Sequence, residues 1–302
     1  MLLSLLLLPF VTATLAPLDG RSLSDCVPGS MRCNGTVLSH TVFANDVPPS
    51  VAELGGYNRL ILSFYESSGY QDSQNVVNWV AMSASDRQTL LDSYHAAGVA
   101  LMLAVFGGTD KPTTNGLDPT SFATKVAAFV KQYGFDGIDI DYEDFDAFEG
   151  GTGVPWINTP IAPWFSTSMY KDGGYTAVYK AVGDSLNWFN LQFYNQNNYY
   201  TSCDQLVKDS TATGYPGTSL AQLQSMSGVP YDKLVLGKPI DKAAADGGYM
   251  TPSALGTCVA QAKQMGWNGG VMFWEWIPKD VSGSQETVKS LTGRIRPIFS
   301  RR

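Results

Sequence analysis

Residues 99–108, VALMLAVFGG, are apolar at every position until a pair of glycines ends the run. A strand with one wet face alternates apolar and polar side chains, so an uninterrupted run is covered on both faces. That pattern calls for a parallel sheet with helices packed outside it, and the rest of the chain supplies the parts. RLILSFY (59–65), NLQFYN (190–195), KLVLGKPI (233–240) and GGVMFWEW (269–276) read as further strands. VVNWVAM (76–82) and IAPWF (161–165) read as weaker ones. Helical periods fall between them at 85–98, 121–134, 175–187, 253–265 and 285–293, the first two closed by Gly98 and Gly134. With GFDGIDIDYE (134–143), eight strands alternating with helices predict an α/β chain folded as a single-domain (β/α)8 TIM barrel.

The stretch FDGIDIDYED (135–144) carries five acidic residues in ten positions. Side chains alternate along a strand, which puts Asp139, Asp141 and Glu143 on one face and Ile138, Ile140 and Tyr142 on the other. In a barrel the isoleucines face the helices, and the carboxylates line the interior towards the C-terminal mouth, where barrel enzymes keep their chemistry. Carboxylates about 7 Å apart and partly desolvated cannot all ionise at neutral pH, so burial and mutual repulsion must raise at least one of them. A shared proton between Asp139 and Asp141 and a protonated Glu143 make a general acid. Two plainer readings are weaker. A calcium site needs loop carbonyls to wrap the ion, which a straight strand lacks. A solvated acidic face conflicts with the interleaved isoleucines. Asp136, at the start of the strand, reads as structural, as do His40 and His95, which have no motif around them.

DGIDIDYE (136–143) matches the D-x-x-D-x-D-x-E signature of glycoside hydrolase family 18, the chitinases and related endo-β-N-acetylglucosaminidases. The resemblance runs over about 57–295: Tyr194 in QFYN resembles the family's tyrosine after the sixth strand, and Trp274 in GGVMFWEW its eighth-strand tryptophan. In AVFGG, Val105 stands where the family's S-x-G-G carries serine. The resemblance implies a retaining hydrolase without an enzyme nucleophile, in which the substrate's own acetamido group attacks. Glu143 would be the acid, Asp141 would hold the acetamido N–H, Asp139 would share a proton, and Tyr194 would hold the acetamido oxygen. Trp274, Gln192, Asn195 and Tyr65 would bind substrate. The implied ligand is chitin or an N-acetylglucosamine oligosaccharide, with an N-glycan core or a non-catalytic, lectin-like role as alternatives. No cofactor is implied.

Composition agrees with a neutral ligand. A formal charge of −7 and a pI near 4.8 disfavour nucleic acid and anionic membranes, while 15 Tyr and 7 Trp suit sugars. Residues 1–16 hold an apolar run too short to span a bilayer, followed by small residues, which predicts a signal peptide and a secreted monomer. Residues 17–56 read as a loop-like N-terminal segment before the barrel at 57–302. Secretion favours disulfides among the four cysteines; of three possible pairings, spacing favours Cys26–Cys33 with Cys203–Cys258. Asn34 opens the only glycosylation sequon. Between Glu143 and IAPWF, DFDAFEGGTGVPWINTP holds three glycines, two prolines and no helical period. The barrel is therefore expected to lack the helix between its fourth and fifth strands, with weakened folding or activity as the consequence.

Overall fold

A computed structural model describes residues 37–42, 48–150, 152–153, 165 and 174–275. The predicted leader, Cys26, Cys33, Asn34, most of IAPWF and the helix at 285–293 lie outside those residues. Seven strands, β1 (Val37–Val42), β2 (Arg59–Tyr65), β3 (Ala100–Gly107), β4 (Gly137–Tyr142), β5 (Phe189–Gln192), β6 (Leu234–Pro239) and β7 (Gly270–Trp274), form one sheet. The order is β4-β3-β2-β1-β7-β6-β5, and every pairing is parallel. Among the described residues the sheet is seven-stranded with β4 and β5 at its ends, so an eight-stranded closed barrel is not seen. The two ends nevertheless approach each other, because Asn190 and Gln192 of β5 donate hydrogen bonds to Asp139 and Asp141 of β4. The sheet is therefore strongly curled, with one concave and one convex face.

Eight helices are described: α1 (Val51–Leu54), α2 (Gln74–Ala81), α3 (Ala84–Ala96), α4 (Pro119–Tyr133), α5 (Phe145–Glu149), α6 (Gly174–Val182), α7 (Leu220–Ser227) and α8 (Pro252–Gln264). Local chemistry sets their ends. Ser83, Asp118 and Thr251 cap α3, α4 and α8 by accepting a backbone N–H, α4 and α8 begin with proline, and left-handed Gly134 stops α4. The convex face carries the main core, including Leu60, Leu62, Leu101, Leu103 and Val105, covered by Trp79, Phe129, Val130 and other helix residues. Cys203 and Cys258 are disulfide-bonded, tying the turn after β5 to α8.

Three expectations change here. VVNWVAM belongs to helix α2, not a strand: Asn75, Val76 and Trp79 recur at helical spacing and are buried, and Asn75 Nδ2 donates to the Ser63 carbonyl. The missing strand is β1, inside the segment read as loop-like; it pairs with both β2 and β7. The connection after β4, read as lacking any helix, contains the five-residue α5. Much of that connection lies outside the described residues.

Candidate active site

The concave face at the C-terminal ends of the strands holds a small open pocket. Phe64 enters it from β2, Ala104 from β3, Asp139 and Asp141 from β4, and Asn190, Gln192 and Tyr194 from β5 and the turn after it. Met272 and Trp274 complete the lining from β7. Alternation along β4 places the carboxylates here, while Ile138 and Ile140 pack with the convex core.

Asp141 is buried, with 9 % of its surface exposed, and accepts from Gln192 Nε2 at 2.7 Å. Burial, followed by the charges of Glu143 and Asp139, raises its carboxyl well above the usual range against the lowering effect of that bond. Asp139 accepts from Asn190 Nδ2 at 2.9 Å, and burial pushes it up to about 6. Glu143 is also raised by burial, with Lys111 pulling in the opposite direction. Lys111 Nζ donates to the Glu143 carbonyl at 2.5 Å. A β-carbon on Gly108 would sit 3.5 Å from Glu143 Oε2, so the glycine keeps the rim open beside that carboxyl. Burial, then the three acids of β4, raises the Tyr194 phenol. Phe64 and Trp274 stack with centroids 5.9 Å apart, forming an aromatic wall.

The loop after β3 fastens the end of β4. Asp144 is fully buried and accepts from Thr114 N at 2.7 Å and Thr114 Oγ1 at 2.5 Å, and Tyr142 OH donates to Thr113 Oγ1 at 2.7 Å. Asp136 lies at the opposite end of the strand, where it accepts from Leu101 N and pairs with His95 at 3.0 Å.

Asp139, Asp141, Gln192, Tyr194 and Trp274 thus share one pocket with Glu143 at its rim. Tyr65 and Asn195 do not. The β2–β3 register shifts between Leu62 and Tyr65, and this bulge turns Phe64 inward and Tyr65 outward onto Phe122 and Phe129. Asn195 is exposed and left-handed (φ 63°), and its Oδ1 accepts from Asp246 N at 2.9 Å. Val105 packs in the convex core; Ala104, in register with Asp139, is the residue that faces the pocket. Sequence reasoning missed Phe64, Asn190 and Lys111. Asn190 was findable, since it shares a strand face with Gln192.

No family model matches the chain. It is 29 % identical over 199 residues to Endochitinase 4 of Metarhizium robertsii, covering 53 % of this chain and 56 % of that protein. The chain spans a little over half the length of the first curated relatives it matches. Its fold is shared with the crystal structure of a GH18 chitinase from Pseudoalteromonas aurantia (TM-score 0.64, 22 % identity, 86 % of this chain and 100 % of that one). It is also shared with a fungal endo-β-N-acetylglucosaminidase from glycosyl hydrolase family 18 (TM-score 0.61, 19 % identity, 87 % and 99 %). The chain is thus similar in sequence to curated chitinases and shares its fold with solved members of glycoside hydrolase family 18.

Proposed function

We propose that the chain is a secreted endo-chitinase that hydrolyses β-1,4-linked N-acetylglucosamine with retention. The observation that carries this reading is the row of Asp139, Asp141 and Glu143, all raised by burial, along a pocket walled by Tyr194, Gln192 and Trp274. Glu143 keeps its proton because its charged form is poorly solvated, and it gives that proton to the glycosidic oxygen as the C–O bond breaks. The substrate's acetamido oxygen bonds to the anomeric carbon, giving an oxazolinium ion. Asp141 accepts the acetamido N–H and offsets the developing positive charge, and Tyr194 steadies the acetamido oxygen. Water then opens the ring and returns its proton to Glu143. The Phe64–Trp274 wall supplies an apolar floor for the reacting sugar.

Closure of the sheet into an eight-stranded barrel belongs to the same reading. One more parallel strand from the connection between β4 and β5 would join its two ends. The hydrogen bonds from Asn190 and Gln192 to Asp139 and Asp141 support closure, because they already bring those ends within side-chain reach.

A fluorogenic chitotriose and a high-mannose glycopeptide, each tested with wild type and Glu143→Gln, decide among substrates. Release from the chitotriose alone, lost in the variant, is the expected result. Cleavage of the glycopeptide alone would instead favour the endo-β-N-acetylglucosaminidase reading, which the likeness to the fungal enzyme keeps in view. Chitin binding without turnover would make it a lectin-like relative. Expression with the native N-terminus tests secretion, and an uncleaved, cell-retained product would refute it.

A further inference from the structure

We propose that Asn190, locked in one orientation by Trp188, is the positioning residue that fixes Asp139 in the active site. The inference rests on the proposed function for its catalytic meaning, and its geometry stands apart from that reading. Trp188 Nε1 lies 3.0 Å from Asn190 Oδ1, and Asn190 Nδ2 lies 2.9 Å from Asp139 Oδ1. An indole N–H can only donate, so it must face the amide oxygen; the amide nitrogen is thereby committed to Asp139. That nitrogen also can only donate. Asp139 Oδ1 is therefore held as an unprotonated acceptor, and any proton on Asp139 sits on Oδ2.

The surroundings make this lock matter. Asn190 is 4 % exposed, so its amide has little water to turn towards. Trp188 packs against both apolar clusters of the concave face and lies under the Arg59 guanidinium, 5.7 Å from the ring centroid. Ala104, opposite Asp139 on β3, brings only a methyl group, so β3 gives Asp139 no side-chain donor. The other ionisable groups of this face are Asp141 and Glu143 on its own strand, Tyr194 after β5 and Glu275 after β7; Asp139 and Glu143 both act on Asp141, and the three acids of β4 and Glu275 act on Tyr194. Arg59, on β2, acts on Asp136 at the far end of β4. Asp139 thus meets like charge along its strand and a neutral, oriented donor across the pocket.

Side-chain carboxyl NMR of protein carrying 13C-labelled aspartate, with Asp139→Asn to assign the signal, tests the lock without substrate. In Asn190→Leu the Asp139 titration is expected to move up from about 6, because a donor that favoured the carboxylate is gone. Trp188→Phe keeps an aromatic ring but removes the N–H that faces the amide oxygen, leaving the amide free to turn, and a smaller shift in the same direction is expected. The acidic limb of kcat/KM should follow both shifts. An unmoved titration in folded Asn190→Leu would overturn the proposal. Should that variant not fold, an unmoved titration in Trp188→Phe overturns the lock by itself. A chain that hydrolyses neither glycan would sink the proposed function and leave this titration as the test.

Discussion

The two faces of the sheet use the same strands for opposite ends. On β3, Leu101, Leu103 and Val105 join the large convex core, while Met102 and Ala104 belong to a small concave cluster. On β4 the division is chemical as well: Ile138 and Ile140 pack outward, and Asp139 and Asp141 point inward against Asn190 and Gln192. Apolar burial stabilises the chain by about 25 cal/mol per Å², whereas each buried carboxylate costs stability unless it is paired or protonated. The convex face therefore holds the molecule together, and the concave face stores strained charge. Substitutions on the concave face should damage activity and spare or improve stability; those on the convex face should do the reverse.

The strongest break of that contrast is Glu143→Gln. On the proposed function, loss of this general acid should cut turnover of a chitotriose substrate by about 10²–10⁴-fold. The melting temperature should stay level or rise, because a raised carboxyl is replaced by a neutral amide. A large fall in melting temperature would mean that Glu143 holds the fold. On the other face, Leu103→Ala removes a fully buried side chain and should cost about 2–5 kcal/mol in denaturant unfolding. KM for the folded fraction should not change. A shifted KM with little loss of stability would undo the division between faces.

How much of this could be read from the chain follows the same division. The acid row was legible because period-two alternation and four spaced carboxylates survive any detail of packing. Strand β3 was legible because both its faces are apolar. Failures came where tertiary context reverses a local rule. VLSHTV (37–42) is broken by polar residues and gave no strand signal, although its pairing with β2 and β7 makes it one. VVNWVAM has the composition of a strand, and only the buried trio Asn75, Val76 and Trp79 reveals its helical face. Tyr65 and Phe64 exchanged places because a bulge shifts parity by one residue, and no local sequence signal marks it. Asn195 stands beside Tyr194 in sequence but turns away, because its left-handed backbone begins the next loop.

A finer probe of the concave face is Asp139→Asn. The Asp139 carboxyl is raised from 3.8 to about 6, so its charged form is the unfavourable one in the folded chain. The native state binds this proton more tightly than the unfolded state does. Stability linked to it is fully present below about pH 4 and is lost as pH rises through about 6. The neutral asparagine avoids that loss. It should therefore match wild type at pH 4 and gain up to about 3 kcal/mol at pH 8, at 1.36 kcal/mol per unit. Denaturant midpoints at the two pH values check this, and an equal effect at both would show that Asp139 carries no buried charge.

The smallest effect belongs to the rim, where the two faces meet solvent. Lys111 is half-buried, reaches the Glu143 carbonyl and lies 4.9 Å from the Phe145 ring centroid. Its cation favours the ionised form of Glu143 and so opposes the burial that keeps the acid protonated. In Lys111→Met that opposition disappears, and the acid keeps its proton to higher pH. The alkaline limb of kcat should move upward, by less in Lys111→Arg, which restores the charge. Added salt should narrow the gap between wild type and Lys111→Met, since a partly exposed cation is screened. If the limb moves but salt leaves the gap unchanged, the Lys111 bond to the backbone, and not its charge, sets the acid; the concave face would then be tuned by strand geometry alone.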